Sequence, residues 1–66
     1  MRLVFRQPGE TKPALEINRV DYFEPMAKMC KFTAIGFEDK QIIHIDKMGR
    51  FVWKGEAYNF IEVFDN

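Results

Sequence analysis

Three side chains in this 66-residue sequence carry the chemistry that catalysis or metal ligation would need: Cys30, His44 and Asp46. A Cys30 and His44 pair could generate a thiolate nucleophile if the fold set the imidazole beside the sulfur and a third group fixed its tautomer. His44 and Asp46 stand two apart, so on a strand they share a side, where the carboxylate could favour the charged imidazole. No local signature surrounds either constellation. Ordinary roles account for all three residues. Cys30, between Met29 and Phe32, reads as a small buried apolar residue; His44 reads as a side chain on a sheet face, and Asp46 as the cross-strand partner of Arg50.

The wider inventory points the same way. The sequence has no serine, one histidine and one cysteine, which excludes a serine triad and leaves a structural zinc site short of its four ligands. Glu38 and Asp39 are adjacent carboxylates without the spacing of a calcium loop, and read as solvated turn residues. Gly9, Gly36, Gly49 and Gly55 are scattered, so neither a phosphate-binding loop nor a dinucleotide fingerprint is present. No enzymatic activity, metal or cofactor is expected.

Binding is the remaining class. Ten Lys and Arg balance ten Asp and Glu, so no global field draws the chain to nucleic acid or anionic lipid. A local nucleic-acid site is conceivable as a secondary reading: Phe51, Trp53 and Tyr58 could stack on single-stranded bases while Lys47, Arg50 and Lys54 track the phosphates. Asp46 and Glu56 in the same segment weaken that footprint. Protein binding has the stronger argument, because the segment from Gln41 to Phe64 is apolar on both sides of an expected meander. Its reverse face would hold Ile42, His44, Val52, Ala57, Asn59, Ile61 and Val63, and of these Ile42, His44, Val52, Asn59, Ile61 and Val63 are the candidate contacts. Met26 and Met29 could add an adaptable loop. The expected partner is another protein or a second copy of the chain, with no membrane role.

These residues must be positioned by strands. Seven Phe, two Tyr and one Trp, with many Val and Ile, occur in short runs separated by Gly, Pro and acidic residues. The expected fold is mostly β: one domain, either a small antiparallel meander or a partly closed barrel of about five strands. In general architecture it resembles small SH3-like or OB-like barrels, a likeness that carries no functional residues with it. Arg2 to Arg6 reads as the first strand, ended by Pro8-Gly9 and a loop over residues 7–13. One bulged strand is expected from Leu15 to Pro25, and a third from Phe32 to Phe37, with Gly36 as an in-strand bulge, turned at Glu38-Asp39-Lys40. Met26, Met29, Cys30 and Thr33 recur at helical spacing behind Pro25, which predicts one or two helical turns over residues 25–31.

Two hairpins complete the expectation. Lys47-Met48-Gly49 forms a three-residue loop that opposes Asp46 to Arg50, Ile45 to Phe51 and Ile43 to Trp53. Lys54-Gly55 then turns the chain so that Phe51, Trp53, Tyr58 and Phe60 form an aromatic wall. Strand is preferred over helix for residues 57–64 on their aromatic and β-branched content. A lone cysteine and the lack of a signal-peptide core or spanning apolar run predict a reducing, cytoplasmic setting. Size and cysteine usage predict a small bacterial or phage accessory or inhibitor protein.

Overall fold

Arg2–Arg6 (β1) is built to be a central strand: Leu3 and Phe5 point into the interior, and charged residues bracket them. The computed structural model describes residues 1–7, 9 and 15–65, in which β1 lies between Leu15–Ile17 (β2) and Phe60–Phe64 (β8), antiparallel to both. Val4 faces the other way, opposite Glu16 on one side and Glu62 on the other, yet is only 1% exposed. On the same face, Arg2 forms an ion pair with Glu16 and Arg6 with Glu62.

A second sheet orders Val20–Pro25 (β3), Met29–Ala34 (β4) and Gln41–His44 (β5), and a third pairs Phe51–Trp53 (β6) with Glu56–Tyr58 (β7). All pairings are antiparallel. Backbone bonds from Met1, which exchanges two with Val20, tie the first sheet to the second, while the Ile35 N–H donating to the Arg19 carbonyl and the Asn59 N–H donating to the Arg6 carbonyl at 2.6 Å extend the β3–β4 and β1–β8 ladders. The three sheets enclose one core. Phe5 is its hub, meeting Phe32, Phe51, Trp53 and Tyr58 edge-on at centroid distances of 6.3, 5.2, 5.3 and 5.4 Å. Edge-on rings set the positive edge of one against the negative face of another.

The all-β antiparallel expectation holds, with eight short strands among the described residues in place of about five. The helical turns predicted for residues 25–31 are absent. Pro25 pairs with Cys30, the Met26 N–H donates to the Met29 carbonyl, and the chain forms a β3–β4 hairpin. Cys30, Phe32 and Ala34 point inward at a period of two, which overrides the helical spacing. The third strand accordingly starts at Met29 and ends at Ala34, and Gly36 is a turn residue with φ of 104° rather than an in-strand bulge. The strand expected from Leu15 to Pro25 breaks at Asn18-Arg19, where Arg19 adopts a φ of 57°, and its halves join different sheets; the expected bulge survives between Val20 and Tyr22. Residues 57–64 are strand rather than helix, but they break at Asn59 into two strands of different sheets, and Phe60 leaves the aromatic wall to begin β8. The turn residue Pro8 and most of the loop expected after it lie outside the described residues.

Candidate functional site

The chemistry-bearing residues do not converge. Cys30 points into the core from β4, whereas His44 is exposed on the outer side of β5, paired with Met29 rather than with Cys30. Burial pushes the Cys30 thiol above its usual range. Asp46 is engaged by its own turn: its carboxylate accepts the N–H groups of Arg50 at 2.9 Å and Met48 at 2.8 Å, and its N–H donates to the Arg50 carbonyl. The Arg50 N–H chiefly, with Met48 and the nearby guanidinium, holds Asp46 below the ordinary carboxylate range. The turn closes as expected at Asp46 and Arg50, but β5 and β6 separate into different sheets beyond it, so Ile43 and Trp53 are not ladder partners. Among the described residues no group of three His, Cys, Asp or Glu side chains is placed to hold a metal ion.

The stacking candidates are largely core. Phe51 and Tyr58 are buried and stacked on each other at 5.4 Å, and Trp53 packs against Phe5, Phe32 and Phe37. Lys54 lies over both rings, with Nζ 5.2 Å from the Trp53 centroid and 5.7 Å from that of Phe37. Lys47 and Arg50 are exposed beside them, and a shallow cavity joins Arg50, Val52 and Tyr58. Phe51 and Tyr58 are each only 5% exposed, so they offer little ring surface for a base to stack on beside Lys47 and Arg50.

The six protein-contact candidates divide between three sheets. Ile42 and His44 lie outside β5, Val52 is 67% exposed on the β6–β7 hairpin, and Asn59 is half-buried ahead of β8. Ile61 and Val63, on β8, do share a site. They line an open cavity of 340 Å³ with Phe23, Pro25, Met26 and Met29 of the β3–β4 hairpin, Phe60 at its mouth, and Cys30, Ile45, Gly49 and Phe51 deeper in. No charged side chain among the described residues lines it. Phe60 and Val63 are 44% and 45% exposed, and among the described residues β8 is the outer strand of its sheet, so the groove runs along a strand edge that none of them pairs. The Met26 and Met29 contribution was legible from sequence; the part played by Phe60 was obscured by placing it among the core rings.

Comparison with protein families, with curated proteins and with solved structures finds no match to this chain. No helix among the described residues is long and apolar enough to cross a membrane.

Proposed function

We propose that this chain is a non-enzymatic protein-binding domain that receives an extended apolar segment of a protein along β8. One observation carries the reading: an apolar groove that ends on a free strand edge. The edge offers main-chain hydrogen bonds to an added strand, and the groove takes alternate side chains of that strand, which is how β-augmentation divides affinity from specificity. Unbranched Met26 and Met29 let one wall of the groove adapt to its occupant. The unpaired Cys30 supports a reducing cytoplasmic setting for a small bacterial or phage accessory protein.

Site-specific photocrosslinking in cells tests it. A photoreactive residue at Phe60 or Met26 is expected to give discrete protein adducts, and the same residue at Val52, exposed on a different sheet, is not. Equal adduct patterns from the two surfaces would remove the groove as the binding site.

A further inference from the structure

The strand that borders the groove reads almost the same in both directions. Phe60-Ile61-Glu62-Val63-Phe64 has an aromatic ring at each end, a branched aliphatic inside each ring, and one carboxylate at the centre. Among the described residues β8 pairs with β1 on one side and with no strand on the other. We propose that the groove's occupant is a second copy of this chain, joined β8 to β8 about a two-fold axis through Glu62. This deepens, and rests on, the reading of the groove as a protein-binding site. In that register Phe60 opposes Phe64 of the second copy and Ile61 opposes Val63, so every apolar residue of the strand meets a like one. The two three-stranded sheets become one antiparallel sheet of six, and Phe60 and Val63, on opposite faces of it, each gain an apolar cross-strand neighbour. A closed isologous pair also consumes the edge, which would otherwise template open-ended association.

Charge supports this occupant. Two Glu62 side chains would face each other across the axis, an unfavourable pair by itself. Each, however, already carries an ion pair to Arg6 of its own chain. Arg2 sits over the Phe64 ring at 4.4 Å and Arg6 lies opposite Phe60 in the β1–β8 register. Pairing the strands therefore sets the central carboxylate row between two rows that each end in guanidinium groups, Arg2 from one copy and Arg6 from the other. The chain's zero net charge adds no long-range repulsion between copies. A five-residue strand falls short of the roughly 800 Å² that each partner of a standard interface buries. The rim at Pro25 and Met26 must contribute the rest, so the dimer is expected to dissociate on dilution.

Sedimentation equilibrium and cysteine pairing on the full chain test the proposal. The weight-average mass should rise with concentration from 7.9 kDa towards about twice that value. Glu62→Cys should form an intermolecular disulfide with itself, because directly opposed Cα atoms lie about 4.5–5.5 Å apart, inside the disulfide range. Ile61→Cys should not join itself, yet should pair with Val63→Cys when the two variants are mixed. Phe60→Asp, at an exposed position, should stay folded by circular dichroism and dissociate at least tenfold more readily. A wild-type dimer whose Glu62→Cys variant couples no faster than Val52→Cys overturns the register, and so the proposal. A monomer at every concentration overturns it too: adducts from Phe60 to a different protein would then keep the groove as a binding site, and no adducts at all would remove both.

Discussion

Asp46 shows how a carboxylate with the potential for chemistry is taken up by a turn. Sequence spacing identifies the Lys47-Met48-Gly49 loop and puts Gly49 in the left-handed region, where it has a φ of 85°. The same spacing opposes Asp46 to Arg50, and that is also observed. What spacing does not convey is that the carboxylate turns back onto the N–H groups of Met48 and Arg50, while the Arg50 guanidinium reaches the Met48 sulfur at 3.6 Å. Local side-chain to backbone bonding competes with cross-strand pairing for Asp, and here it wins. The sign of its pH dependence follows. A carboxyl held below its unfolded range contributes stability that is present above an unfolded pKa of about 3.9 and is lost as the pH falls through the folded value. Asp46→Ala should therefore melt below the wild type at pH 7, and the gap between them should narrow in thermal melts recorded progressively below pH 4. A gap independent of pH would mean that the carboxylate's charge does not matter to the turn.

At the scale of elements, alternation identified most strands and punctuation failed at two junctions. Gly49 and Gly55 mark turns that the structure also has, but the break between β7 and β8 falls at Asn59, and that between β2 and β3 at Asn18-Arg19, with neither Gly nor Pro to announce them. Arg19 takes a φ of 57° there, and its carbonyl receives the Ile35 N–H at 3.2 Å, so the chain leaves one sheet and enters the next at a single strained residue. The hairpin at residues 25–29 was hidden for a different reason. Met26, Met29, Cys30 and Thr33 fit a helical period while Cys30, Phe32 and Ala34 fit a strand period, and only the partner strands settle which face is buried. The left-handed region costs an L-residue about 1–2 kcal/mol, less for Asn, whose short polar side chain bonds locally. Arg19→Asn should accordingly raise stability by up to about 1 kcal/mol, and Arg19→Val, β-branched at positive φ, should lower it by roughly 1–2 kcal/mol. Urea midpoints at unchanged slope measure both. Equal midpoints for the three proteins would show that the junction is unstrained.

At the scale of the whole molecule, two phenylalanines have opposite duties, and composition does not separate them. Phe5 and Phe60 are both strand residues from one sheet, opposed to Ile61 and Arg6 respectively in neighbouring rows of the β1–β8 ladder. Phe5 is 0% exposed and touches rings from β4, β6 and β7, so it joins all three sheets; Phe60 is 44% exposed at the groove mouth. Truncating a core Phe to Ala costs about 3–5 kcal/mol. A domain of this length has a total stability of roughly 3–10 kcal/mol, so Phe5→Ala removes much or all of it. Phe5→Ala should lose its cooperative thermal transition, or retain only a broad one at low temperature, with Phe5→Leu intermediate. Phe60→Ala should keep the wild-type transition when diluted to monomer, because its ring is no part of the cluster around Phe5. It should show its effect only at high concentration, where association raises the melting temperature of the wild type by mass action and not that of the variant. A concentration series of melts on the three proteins thus separates the residue that makes the fold from the residue the fold presents. Loss of stability in dilute Phe60→Ala would place Phe60 in the core and leave the groove without its mouth.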